Sequence, residues 1–169
     1  MRILNQAEVT ALLPMAECIE VMDGALRTLS SGGALLPLRS VLRLPGGRGL
    51  FGLMPAALAE PDTLGLKAIA ISPGNEGTEL DTHQGLVILF DPERGTPIAV
   101  MDASSITAIR TAAVSGVATR ALAREDAGDL AILGSGVQAR SHLEAMAAVR
   151  RLRRVRAWSP DPRQLAAYV

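Results

Sequence analysis

Leu130-Ala-Ile-Leu-Gly-Ser-Gly-Val-Gln-Ala139 sets the architecture of this chain. Its first four residues are a short apolar run after an Asp/Gly break, the pattern of a strand buried in a parallel sheet. Gly134-Ser-Gly136-Val-Gln-Ala139 follows at once, and a helix-permissive run continues to about Val149. This is G-x-G-x-x-A between a strand and a helix, the context that the dinucleotide-binding fingerprint requires. Gly134 permits the tight turn, Gly136 lets a pyrophosphate approach the backbone, and Ala139 keeps the helix close to the strand. Free N–H groups at the helix start then face the phosphates. The competing reading is an ordinary glycine-rich βα turn, and the strand–turn–helix context favours the nucleotide.

Upstream, Ser104 or Ser105 is expected to cap a helix running to about Ala123. Ile106, Ile109, Ala113, Val117 and Ala121 form its expected buried stripe. Ala112, Ser115, Gly116 and Ala118 would let another backbone pack closely. Arg124-Glu-Asp-Ala-Gly128 reads as a domain boundary, placing one domain at 1–125 and the start of a nucleotide-binding domain at 126–169. Downstream, Val155 to Trp158 reads as the second strand of that unit. The arginines at 150, 151, 153, 154 and 156 read as a solvated helix end that offsets the helix dipole. Ser159-Pro-Asp-Pro162 and Arg163 then open another turn and helix. One βαβ unit is only part of a dinucleotide-binding sheet.

The first 125 residues read as α+β. Met15, Ile19, Met22, Leu26 and Leu29 recur at helical spacing after Pro14, and Gly32-Gly33 ends that helix. The methionines read as core fillers. Leu38–Leu44 and Leu50–Met54 flank a Pro/Gly turn and predict a hairpin, and Gly65–Ile71 is a third strand. Leu86–Phe90 and Ile98–Met101 predict a second hairpin around Asp91-Pro-Glu-Arg-Gly-Thr-Pro97. A polar, Gly-rich loop from Ser72 to Gln84, with Thr82 and His83 in it, lies between the third and fourth strands. The fold class is therefore α/β: an N-terminal α+β domain followed by an incomplete Rossmann domain.

Composition narrows the function. Seventeen basic residues balance seventeen acidic ones, which argues against a nucleic-acid or anionic-membrane partner held by bulk charge. Aromatic residues make up 2 %, too few for a base-stacking platform. The single cysteine, Cys18, allows no intramolecular disulfide and fits a reducing compartment, with the cytoplasm as the expectation. No apolar run approaches a membrane span, and the first residues lack a signal-peptide core. His83 and His142 are distant in sequence and have no cysteine partners, so no metal site is expected. His142 is expected on the exposed face of the nucleotide helix.

Several blocks together resemble a known family. Pro37-Leu-Arg39, Leu53-Met-Pro55, Gly65-Leu-Lys67, the Asp91–Pro97 turn, Ile106-Thr-Ala-Ile-Arg-Thr-Ala-Ala113 and Gly134-Ser-Gly-Val-Gln-Ala139 occur in the order seen in the ornithine cyclodeaminase/μ-crystallin family. The resemblance implies a substrate and dimerisation domain, then a Rossmann domain. It further implies a homodimer that acts on the α-carbon of a small amino or imino acid with NAD(H) or NADP(H). Arg39, Lys67 and Arg110 match substrate-binding positions, with Lys67 as the catalytic candidate. Thr82 matches a cofactor contact, as do Val137 and Gln138 within the turn formed by Gly134, Gly136 and Ala139.

Physical chemistry supports these residue types. A substrate carboxylate wants a cationic, preferably bidentate partner, which Arg39 and Arg110 can supply. Lys67 lies mid-strand among apolar neighbours, where lost solvation lowers an amine's pKa toward proton transfer. The competing readings are an edge-strand lysine facing water and a helix-surface arginine.

Three departures from the family pattern matter. Gly52 stands where cyclodeaminase members carry an acidic residue, which favours a reductase, a dehydrogenase or a non-catalytic member. Ser159 stands where NAD-using members tend to have an aspartate for the ribose hydroxyls; with Arg163 nearby, this slightly favours NADP(H), and Asp161 leaves the choice open. The family's catalytic aspartate lies beyond residue 169, so the expectation divides between a fragment of a longer enzyme and an incomplete, inactive product. An NADPH- and small-ligand-binding protein is the alternative to an enzyme.

Overall fold

Apolar runs broken by Gly- and Pro-rich turns build a seven-stranded sheet in the computed structural model, which describes residues 1–169. Its centre is an antiparallel meander of β4 (Leu50–Ala59), β5 (Asp62–Ile71), β6 (His83–Phe90) and β7 (Pro97–Asp102). β1 (Arg2–Leu4) lies parallel to β7, with Ile3 opposite Val100. β2 (Ala34–Leu35) and β3 (Ser40–Arg43) both pair antiparallel with β4, through Ala34–Leu58 and Ser40–Leu53.

The expected hairpins are present, with β3 shortened to Ser40–Arg43 from the expected Leu38–Leu44 and the other strands longer. β4 continues through Pro55 to Ala59, and β5 begins at Asp62 rather than Gly65. β6 starts at His83, so His83 and Gln84 belong to a strand and the polar connection ends at Thr82. The sequence reading missed β1, the helix α1 (Gln6–Leu12) and the two-residue β2. Such short pieces carry too few apolar repeats to register as periodicity.

Two compact units divide the chain: Met1–Leu12 with Ala25–Ile106, and Leu13–Gly24 with Thr107–Val169. The first holds the sheet, with Val9 of α1 buried in it. The second is built on α2 (Met15–Ser30) up to Gly24, α3 (Ala103–Leu122) from Thr107 on, and the parallel unit β8 (Asp129–Leu133), α4 (Val137–Val149) and β9 (Arg154–Trp158). α5 (Pro162–Tyr168) follows, capped by the Asp161 carboxylate, which accepts from the N–H groups of Arg163 and Gln164. Pairing of Leu130 with Val155 and Leu133 with Trp158 makes β8–α4–β9 the βαβ unit that the glycine turn predicted.

The second unit's core joins Met15, Cys18 and Ile19 of α2, Ala112, Ala113 and Val117 of α3, and Ala145 and Met146 of α4. Small residues on α3 let these helices approach closely, since close packing rewards matched shapes. The expected α3 stripe needs correction: Ala121 is exposed, and the buried face is Ala112, Ala113, Gly116 and Val117. The expected cap also changes. Asp102 Oδ1 accepts from Ser105 N–H at 2.9 Å and so caps α3. Ser104 instead donates to the His83 carbonyl, and Ser105 to that of Gln6.

The arginine run is not uniformly solvated. Arg150 Nη2 donates to the carbonyls of Thr119 at 2.9 Å and Ala123 at 2.8 Å, while Nε reaches the carbonyl of Arg124 at 3.2 Å. The cation therefore offsets the dipole of α3, not only that of its own helix. Arg153 and Arg154 share the Asp129 carboxylate at 3.8 and 3.9 Å. No helix is long and apolar enough to cross a membrane.

Candidate functional site

The glycine turn occupies positions 134–136. Gly134 adopts φ 122°, which a side chain disfavours, and its N–H donates to the Trp158 carbonyl at 2.7 Å. This bond ties the end of β8 to the end of β9. A second tie lies beside it: the buried Ser135 hydroxyl donates to Ser159 Oγ at 2.9 Å, and Ser159 Oγ also accepts from Asp161 N–H.

Gly136 is the N-cap of α4 and brings no side-chain cap to the helix. Its carbonyl accepts from the N–H groups of Ala139 and Arg140. The N–H groups of Val137 and Gln138 at the helix start have no intrahelical acceptor, as geometry dictates for a first turn. A β-carbon built on Gly136 meets no atom within 4 Å, so the backbone there is open. An uncapped, dipole-positive helix start beside an open glycine fits a dinucleotide's pyrophosphate.

Arg110 lies on α3 in the same compact unit. It is half-buried, with no carboxylate paired to it. Its guanidinium is close enough to Cys18 to pull that thiol's pKa down, against the larger effect of burial, which pushes it up. A half-buried, unpaired guanidinium is a ready anion site.

The other site residues belong to the sheet unit. Lys67 is half-buried on β5, opposite Met54 of β4 and Val87 of β6. β5 has a partner on each side, so Lys67 is not an edge-strand lysine. Arg39 immediately precedes β3, whose first pair is Ser40 with Leu53. The next position on β4 is Met54, the partner of Lys67. The ladder of β3 thus ends one position short of the Met54–Lys67 row, and Arg39 is the residue that follows it out of the sheet. Arg39 itself is exposed.

Thr82 stands where the loop enters β6. Its carbonyl accepts from Ser72 N–H at 2.9 Å, and its hydroxyl lies 3.3 Å from His83 Nδ1. The sheet unit therefore holds Arg39, Lys67 and Thr82, and the second unit holds Arg110, the glycine turn and Ser159.

Sequence reasoning missed two contacts. Ser135 reads as a filler inside the fingerprint, and its bond to Ser159 has no sequence signal. His142 is half-buried against α3, not on an exposed face: Nε2 lies 3.0 Å from Ser115 Oγ, and Nδ1 lies 2.7 Å from the Gln138 carbonyl. The four-residue spacing from Gln138 to His142 was a usable signal, because side chains at that spacing can bond back to a helix carbonyl.

The chain is similar to known proteins over most of its length. The chain is 41 % identical to the ketimine reductase mu-crystallin of Mus musculus over 144 residues, covering 83 % of this chain and 46 % of that protein. It is 36 % identical to a Delta(1)-pyrroline-2-carboxylate reductase of Bacillus cereus, covering 92 % and 48 % of the two chains. Among solved structures, the Thermococcus litoralis Delta(1)-pyrroline-2-carboxylate reductase in complex with NADH and L-proline superposes with a TM-score of 0.94 at 34 % identity, over 99 % of this chain and 52 % of that one. An archaeal alanine dehydrogenase dimer with bound NAD gives 0.93 at 35 % identity, over 100 % and 52 %. The chain thus spans about half the length of the relatives it matches. The model of the ornithine cyclodeaminase/mu-crystallin family matches residues 1–169 throughout, and the chain belongs to that family.

Proposed function

We propose that this chain carries the substrate-binding residues and the first nucleotide-binding unit of an NAD(P)-dependent reductase or dehydrogenase of small imino and amino acids. The observation that carries the proposal is the open, uncapped glycine turn at Gly134–Gly136 in one compact unit with the unpaired, half-buried Arg110. In this reading residues 1–125 bind substrate and dimerise, and 126–169 begin the nucleotide-binding domain.

Val137 and Gln138 N–H groups hold the pyrophosphate, with Gly134, Gly136 and Ala139 keeping the backbone close. Thr82 is a further cofactor contact. Arg39 and Arg110 are each a candidate partner for a substrate carboxylate. Lys67, held on an interior strand, places its ammonium where an imine nitrogen needs a proton. A bound nicotinamide supplies or accepts the hydride at the α-carbon.

Gly52, buried on β4, offers no carboxylate where the resemblance expects one in cyclodeaminases, which favours net redox chemistry over cyclisation. Ser159, with Arg163 nearby, slightly favours NADP(H), since its hydroxyl already accepts two bonds and carries no charge for the ribose; Asp161 caps α5 through Oδ1 alone and leaves the choice open. Arg163 is exposed beside them and suits a 2′-phosphate. A homodimer and a cytoplasmic location complete the proposal.

The test begins with binding. Trp158, the only tryptophan, sits at the end of β9, so energy transfer from it to NADPH or NADH reports occupancy of the turn. We expect NADPH to bind more tightly than NADH. NADPH oxidation with a cyclic imino acid is then followed by absorbance, and Lys67→Ala is expected to lower kcat/KM by about 100-fold or more. Ammonia release from ornithine without net oxidation would make the protein a cyclodeaminase. Tight NADPH binding with no turnover would make it a ligand-binding member, and absence of binding would remove the proposal.

A further inference from the structure

We infer that His142 is a positioning residue, clamping the first turn of α4 to α3 so that the turn meets a nucleotide already ordered. The inference rests on the nucleotide-binding reading of the glycine turn and adds a residue to it.

The geometry is specific. The Gln138 carbonyl can only accept, so His142 Nδ1, 2.7 Å away, carries the hydrogen. In the neutral ring Nε2 is then an acceptor, and Ser115 Oγ–H donates to it across 3.0 Å. One imidazole thus joins a carbonyl in the first turn of α4 to a side chain on α3. Ser115 lies on the same helix as Arg110, five residues further along.

Neighbouring bonds reinforce the clamp. Ser141 is buried, and its hydroxyl lies 3.3 Å from the Val137 carbonyl and 3.2 Å from that of Gln138. Two consecutive side chains therefore bond back onto the carbonyls of the two residues whose N–H groups are free. The turn needs this support. It lacks a side-chain cap, and a glycine turn resists disorder poorly because glycine loses the most conformational freedom on ordering. Without the clamp, ordering the first turn would fall to the ligand and weaken its binding.

Two variants separate the ring's two bonds. His142→Asn keeps an N–H near the Nδ1 position and loses the reach to Ser115, whereas His142→Ala loses both. Binding is read by Trp158-to-NADPH energy transfer, and backbone order by amide exchange at 137–142 without nucleotide. His142→Ala is expected to raise the NADPH Kd about three- to tenfold. It should also speed exchange in the first turn while leaving the global urea midpoint near wild type. Because His142→Asn keeps only the bond within α4, it should recover little of the affinity, and Ser115→Ala should weaken binding nearly as much as His142→Ala.

Wild-type affinity in His142→Asn or in Ser115→Ala would overturn the inference, as would wild-type exchange rates in His142→Ala. Failure of wild-type chain to bind NADPH would instead remove the nucleotide reading, and with it this role for His142; the exchange data would still show whether the clamp exists.

Discussion

Cys18 shows how one buried side chain ties stability to pH. Burial raises its thiol pKa, and the Arg110 guanidinium only partly opposes this. The folded pKa therefore lies above the unfolded one. The resulting stabilisation is complete below the ordinary thiol range and is lost as pH rises through the folded value, because the unfolded chain can release a proton that the folded chain retains. The urea midpoint should fall as pH rises above about 8.5, the unperturbed thiol value. Cys18→Ala should show a shallower fall. Tyr168, also raised by partial burial, titrates higher and contributes little there. An equally steep fall in the alanine variant would show that another group is responsible. The residue was easy to find, since it is the chain's only cysteine, but its surroundings were not. Helical spacing places Met15, Ile19 and Met22 on one face, yet no periodicity tells which helix covers Cys18 or that Arg110 lies near it.

Among the elements, α3 depends on an interaction that runs against local expectation. A basic residue near a helix end normally acts on its own helix. Arg150 follows α4, yet its fork closes over the last carbonyls of α3. Arg150→Ala should cost about 1–2 kcal/mol in a denaturation experiment, as expected for charge-assisted bonds at a partly exposed helix end. Arg150→Lys should recover only part of this, because an ammonium cannot span several carbonyls as a guanidinium does. A neutral Arg150→Ala would show that water satisfies those carbonyls equally well. Strands and helices with strong patterns were legible: β8, α4 and β9 followed from one apolar run and one glycine turn. Contacts made by long side chains across elements were not, because their direction depends on packing. The Asp102 cap illustrates the smaller error: Asp102, Ser104 and Ser105 fall within four residues and all cap well, so composition alone could not choose among them.

For the whole molecule, register and topology did more than composition could. Arg39 and Lys67 are 28 positions apart in sequence, yet β3 begins directly after Arg39 and pairs to β4 one position from the Met54–Lys67 pair. Around that end of the sheet, Leu35 is 75 % exposed, Leu38 97 % and Leu42 63 %. So many exposed leucines in one segment suit a self-association surface. Sedimentation at micromolar concentration should give twice the chain mass, and Leu38→Glu with Leu42→Glu should return it to one chain. An unchanged monomer in the wild type would reject the dimer. The hydroxyl pair of Ser135 and Ser159 carries a different consequence, for nucleotide preference. A carboxylate introduced at 159 replaces the oxygen that accepts from Ser135 Oγ–H and Asp161 N–H and can take up both donors itself, so how much of it is left for a ribose depends on what stands at 135. Coupling between the two positions is the expectation: substitution at 159 alone should change nucleotide preference less than the same substitution combined with one at 135.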